Sequence, residues 1–191
     1  YASRKIELLT LQEARSATTP AFVKPADGKI FEPTVYASGA DLPTEEHVDG
    51  SIPVLRSEIM NFRLEVRCFI HDRQIVTLSP YWRNDALALD EEGIWSFRDG
   101  EEAAARSFAE QVIGDERVAL PPACTVDVGF DAKGHWAVIE ANPCWGAGLY
   151  GCDPEKVLRS LGGAVMKKSD LMPQDLQWVS KRRREELEKS S

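Results

Sequence analysis

The segment Cys124–Phe130, turn residues Asp131–Gly134 and His135–Ala141 read as the clearest hairpin in the chain, and it limits what can be built around it. Both arms are rich in β-branched and aromatic residues, and Asp and Gly punctuate the turn. Each arm also carries an acid: Asp127 on the outgoing strand, Glu140 on the return, with Asn142 two residues further. With the turn near Lys133 and Gly134, Asp127 and Glu140 lie almost opposite each other. Cross-strand residues that share a face sit about 5 Å apart. Two carboxylates held so close are costly unless a cation lies between them. Magnesium takes hard oxygen ligands, commonly one or two carboxylates together with phosphate oxygens. Asn142 shares a face with Glu140 and adds an amide oxygen. Glu140 could bridge two ions, one also ligated by Asp127 and the other by Asn142, which would clamp two phosphates. Either acid alone equally fits a solvent-facing strand at a sheet rim. The apolar neighbours Val126, Val128, Val138 and Ile139, and the Pro143 that follows, favour a site.

The remaining sequence sets the fold class. Ala21–Lys24 reads as a short strand, Pro25–Gly28 as a turn and Ile30–Ala37 as a second strand, with Lys24 and Lys29 flanking the turn. Ile52–Leu55 is a third. Residues 1–20 are mixed and mostly polar, with a short helix at Leu11–Ser16. From Arg63 to Ile70 the residues alternate, Leu64, Val66 and Cys68 on one face, Arg63, Glu65, Arg67 and Phe69 on the other. His71–Arg73 turns the chain and Gln74–Ser79 returns it. A helix opens at Asp99–Glu102 and runs to about Ile113, and another starts at Asp153–Pro154 and runs to about Lys168. From Pro173 the tail reads as a charged helix. The pattern is α+β, divided as 1–57 (N-terminal segment and small lobe), 58–170 (large antiparallel-sheet lobe with the acids) and 171–191 (charged tail).

Charge and cysteine usage narrow the function classes. A net charge of -8 argues against a nucleic-acid binder, whose affinity comes from phosphate contacts. It leaves room for a nucleotide, since a local basic cluster and Mg2+ can hold a triphosphate in an acidic protein. Cys68, Cys124, Cys144 and Cys152 form no CxxC and read as reduced, buried thiols of a cytoplasmic protein. No apolar run approaches the ~20 residues of a membrane span, so no membrane partner is expected. The chain begins at Tyr1 and reads as a fragment whose substrate-binding lobe lies upstream.

Val138-Ile139-Glu140-Ala141-Asn142-Pro143 resembles the E-x-N-P segment of ATP-grasp ligases, in which the acid and the Asn ligate Mg2+. An Asp thirteen residues before the Glu, here Asp127, resembles that family's D-alanine–D-alanine ligase branch. Trp145-Gly146-Ala147-Gly148 loosely matches the loop that ends the motif. Ala21-Phe22-Val23-Lys24-Pro25 resembles the family's phosphate-binding strand lysine. Ala26–Lys29 falls where its phosphate-covering loop stands. Arg56–Glu65 resembles its interlobe hinge. By that resemblance Glu58 and the backbone of Ile59 and Asn61 read adenine, and Glu65 holds the ribose.

A clade of the family is named for two arginines and one lysine, and Arg67, Arg83 and either Lys24 or Lys29 could be that set. Arginine's planar fork suits phosphate. Arg67 also fits a cross-strand salt bridge, and Arg83 a surface loop. Two positions depart from the pattern. Thr125 stands where many members carry a basic residue, and Cys144 and Trp145 replace the Arg-Pro often found after Asn-Pro.

The resemblance implies an ATP-grasp fold, two α+β lobes with ATP between them and the N-terminal pre-ATP-grasp lobe absent. It implies ATP with one or two Mg2+ (Mn2+ a substitute). The expected reaction phosphorylates a small-molecule or peptide carboxylate to an acyl phosphate and joins it to an amine or thiol, releasing ADP and phosphate. Catalytic roles fall to Arg67, Arg83 and Lys29, cofactor binding to Lys24, Glu58, Ile59, Asn61 and Glu65, and metal binding to Asp127, Glu140 and Asn142. The alternatives are a nucleotide-binding or phosphotransfer domain with another acceptor, and a non-enzymatic interaction domain.

Overall fold

The computed structural model describes residues 1–179, Arg183, Arg184 and Leu187. Most of the charged tail expected to be helical lies outside the described residues. Pro173–Trp178, where it was expected to begin, is a 3-10 helix. The chain divides into two compact units, Ala2–Asn61 and Phe62 onward with Tyr1.

The first unit is an antiparallel sheet with one short helix. Its strands are β1 (Ile6–Thr10), β2 (Ala21–Pro25), β3 (Thr34–Tyr36) and β4 (Pro53–Ser57), in the order β1-β4-β2-β3. Helix α1 (Leu11–Arg15) starts at Thr10, whose hydroxyl accepts from the Glu13 backbone N–H while the Glu13 carboxylate accepts from the Thr10 N–H. That reciprocal cap satisfies two donors that the first turn would otherwise leave open. Leu11, Ala14, Ala21, Val23, Leu42 and Val54 form the core. β1 lies within the segment read from sequence as mixed and polar. It is an edge strand with Ile6 and Leu8 exposed, so burial imposes little pattern on it.

The second unit is built on a sheet of order β7-β6-β5-β8-β9. Its strands are β5 (Phe62–His71), β6 (Gln74–Arg83), β7 (Ala86–Leu87), β8 (Ala123–Asp131) and β9 (Trp136–Asn142). Helix α2 (Glu101–Gly114) lays Ala105, Ala109 and Ile113 on one face of this sheet, against Leu64, Val66, Cys68 and Ile70 of β5 and Val126 and Val128 of β8. The alternation read for Arg63–Ile70 is therefore the true one. Helix α3 (Pro154–Gly163) covers part of the opposite face, where Phe69, Ala123, Cys144, Cys152 and Val157 form a smaller core. Asp153 caps α3 by accepting from Glu155 and Lys156 N–H. The helix ends at Gly163, short of Lys168. An added Cβ at Gly163 would stand 2.6 Å from His71 Nε2, so a residue without a side chain allows the close approach. All four cysteines are buried thiols. Burial pushes Cys124 and Cys152 up to about 11, which keeps them protonated. Among the described residues no helix is long and apolar enough to cross a membrane.

Candidate functional site

The face of the second sheet opposite α2 collects the acids, and two β-bulges decide which side chains reach it. Trp136 and Val138 of β9 pack against the α2-side core. Strict alternation would send Glu140 to that side too. Instead the register slips: Val128 pairs with Val138 but Asp127 pairs with Glu140, so Ile139 is the extra residue. The bulge turns Glu140 and Asn142 onto the face that carries Asp127. Asn142 Nδ2 lies 2.7 Å from Glu140 Oε1. Asp127, Glu140 and Asn142 are thus brought together on one face.

Arg67 shares that face, as the β5 partner of Asp127. Its guanidinium donates twice to the carboxylate, Nε to Oδ1 at 2.9 Å and Nη2 to Oδ2 at 2.7 Å, and Nη1 donates to the Gly148 carbonyl at 3.2 Å. Asp127 is 1% exposed and Arg67 7%. Burial would lower the Arg67 pKa, but the hydrogen bonds and charge of Asp127 outweigh it and hold the side chain firmly protonated. Of the two readings left open for Arg67, the cross-strand ion pair is present, and the ion pair itself belongs to the acidic cluster.

Glu65 is half-buried on the same face and is hydrogen-bonded to the Tyr81 hydroxyl. Burial raises its pKa, and the nearby charges of Asp127 and Glu140 raise it further, against the Tyr81 hydrogen bond. Burial and the same acids push the Tyr81 phenol well above its ordinary value.

Arg83 is not brought to this face. Strict alternation along β6 from Thr77 and Ser79 through Tyr81 would have aimed it there. A bulge intervenes: Val66 pairs with Pro80 and Glu65 with Trp82, leaving Tyr81 as the extra residue. Arg83 then pairs with Leu64, on the α2 side, where its Nη2 donates to Glu101 and to the Ser96 carbonyl. The expectation that Arg83 joins Arg67 at the phosphates is corrected by that slip.

The remaining candidates belong to the first unit. Lys24 is half-buried on β2, on the side away from Ala21 and Val23, and Lys29 is exposed beyond the turn at Gly28. Glu58–Asn61 is non-regular chain after β4. Glu58 Oε2 accepts from the Lys5 backbone N–H at 2.9 Å, and Ile59 and Asn61 are exposed.

Sequence reasoning missed Tyr81, Tyr150 and Gly148. The Arg67 guanidinium carbon lies 5.5 Å from the centre of the Tyr81 ring and 5.0 Å from that of Tyr150. No periodicity marks Tyr150, which lies in an irregular loop.

An antiparallel sheet carrying two acids and an asparagine at its end, covered by helices, describes the ATP-grasp fold. The chain belongs to the ATP-grasp domain family, as family 2 of the clade named for two arginines and one lysine, whose model matches residues 1–160. Similar solved structures include the D-cycloserine synthetase DcsG, at 16% identity over 84% of this chain and 64% of that one, TM-score 0.49. The ATP-grasp ligase PsnB, complexed with precursor peptide PsnA2 and AMPPNP, aligns at 14% identity over 85% of this chain and 52% of that one, TM-score 0.47. D-alanyl-alanine synthetase A from Vibrio cholerae O1 biovar eltor aligns at 18% identity over 73% and 50%, TM-score 0.42. The chain spans about half the length of PsnB. No curated protein matches it.

Proposed function

We propose that this chain is the catalytic part of an ADP-forming ligase that activates a carboxylate with Mg-ATP. The observation that carries the reading is the juxtaposition of Asp127, Glu140 and Asn142 on one sheet face, produced by a bulge, with Asp127 locked by Arg67.

The donor set suits magnesium. A carboxylate offers about four lone-pair sites, so the two hydrogen bonds from Arg67 leave Asp127 with further capacity. Turning the Asn142 amide presents its oxygen beside Glu140. Asp127, Glu140 and Asn142 would hold the ion. Bound there, Mg2+ supplies positive charge to the β- and γ-phosphates.

In the proposed reaction a substrate carboxylate oxygen attacks the γ-phosphorus as the bond to the bridging oxygen breaks, giving an acyl phosphate and ADP. An amine then attacks the acyl carbon, phosphate departs and the amine loses its proton. Phosphoryl transfer needs positioning and charge rather than covalent help. Arg67 serves by fixing Asp127. Lys24 and Lys29, and the adenosine contacts of Glu58, Ile59, Asn61 and Glu65, rest on the family resemblance. So does the carboxylate donor, a small molecule or a peptide.

The test is ADP release by the full chain across a panel of carboxylates and amines. Release is expected to require both, and Glu140→Gln is expected to cut it about a hundredfold or more with an unchanged circular dichroism spectrum. Near-normal turnover by that variant contradicts the metal role. Release without a carboxylate favours phosphotransfer to another acceptor. Lys24→Ala is expected to weaken binding of a non-hydrolysable ATP analogue about tenfold by calorimetry. Unchanged affinity counts against its phosphate role.

A further inference from the structure

The loop after Asn142 returns to the acidic face and places one tyrosine in a backbone conformation that tyrosine disfavours. Tyr150 has φ of 50°, the left-handed region, where a bulky residue meets its own carbonyl. Such strain persists only where surrounding contacts enforce it. The contacts are visible. Gly151 N–H donates to Ser79 Oγ at 3.0 Å, and Asp153 N–H to Thr77 Oγ1 at 3.0 Å, which pins the loop to β6 on both sides of Cys152. At Gly151 an added Cβ would stand 2.5 Å from Trp95 Cβ, so the loop lies against that residue. The Tyr150 ring meets the Trp95 ring edge-on at 5.2 Å and stacks on Tyr81 at 4.9 Å with 15° between the planes. Both tyrosines lie within cation–π range of Arg67, and Gly148, two residues before Tyr150, accepts from the same guanidinium.

The contacts around Arg67 form a closed set. Nε and Nη2 go to Asp127, Nη1 goes to Gly148, and the two rings take up the guanidinium beside them. A guanidinium free to rotate would let the Asp127 carboxylate rotate with it. We propose that Tyr150 is a positioning residue: with Tyr81 it holds the Arg67 fork in the plane that presents Asp127 to a divalent ion. The inference rests on the metal-site reading above. It adds that the strained loop is part of the site although Tyr150 itself touches no phosphate or metal.

The experiment has two arms, both on the full chain. In the first, the 15N-labelled protein without metal is examined for the Arg67 Nε–H resonance. It is expected upfield, shifted by the tyrosine rings and protected from exchange. Tyr150→Phe should keep the shift and Tyr150→Gly should lose it. In the second, Mn2+ binding in the presence of ADP is followed by electron paramagnetic resonance. Tyr150→Gly should weaken Mn2+ about tenfold or more, as loss of an outer support for a ligand does. Tyr150→Phe should stay within about twofold of the parent. Glycine accepts the left-handed backbone without strain, so its loss of affinity reports the missing ring rather than a disrupted loop. An unchanged Mn2+ affinity in Tyr150→Gly overturns the inference, as does a Phe variant as weak as the Gly one. A parent chain that takes up no Mn2+ overturns the metal-site reading instead, and the resonance arm still decides whether the tyrosines hold Arg67.

Discussion

Glu65 illustrates how a single side chain takes its properties from its neighbours. It is half-buried, hydrogen-bonded to Tyr81 and within reach of the charges of Asp127 and Glu140, and burial is the largest cause of its raised pKa. A carboxyl whose folded pKa is raised binds its proton more tightly in the native state. Its contribution to stability is therefore complete below about 4.3, where an unfolded glutamate titrates, and is lost as pH rises through the folded value. Glu65→Gln removes that titration. Urea unfolding across the acid-to-neutral range should find the parent losing stability relative to Glu65→Gln as pH rises. A parallel pair of curves would show that Glu65 is not perturbed. At this scale the sequence was informative where a residue type carried its own chemistry. Asp127, Glu140 and Asn142 could be grouped from residue identity and hairpin register. Tyr150 could not, because its role depends on a loop whose path is set by hydrogen bonds to Ser79 and Thr77.

At the scale of elements, strands were legible and their irregularities were not. The β5 alternation and the β8–β9 hairpin follow directly from the pattern of apolar residues. The bulges at Ile139 and Tyr81 leave no comparable mark, because one extra residue in a strand changes neither composition nor turn chemistry. Both have consequences for the site. One turns Glu140 toward Asp127, and the other turns Arg83 away toward Glu101. The end of α3 was likewise obscured, since its Gly162–Gly163 pair reads equally as an interior weakness or a stop. Phe69, fully buried on the face shared with Arg67, joins β5 to the cysteines of the loop and to Val157 of α3. Phe69→Ala should cost about 3–5 kcal/mol by chemical denaturation. A cost under about 1 kcal/mol would mean that this small core collapses around the gap or contributes little.

Across the whole molecule, an excess of acids coexists with a few cations in fixed places. The net charge of -8 excludes little by itself. What matters is that Arg67 is committed to Asp127 inside a sheet whose other face is covered by α2. The division at Asn61 and Phe62 separates a small sheet carrying Lys24 from a larger one carrying the acids. Family membership spans both units, since the matching residues run from 1 to 160. The most direct test is a crystal structure of the full chain grown with Mg2+ and a non-hydrolysable ATP analogue. The account predicts a magnesium ion about 2.1 Å from oxygens of Asp127, Glu140 and Asn142 and in contact with the analogue's terminal phosphates. A bound analogue whose metal lies elsewhere, with those three side chains making no contact to it, would contradict it.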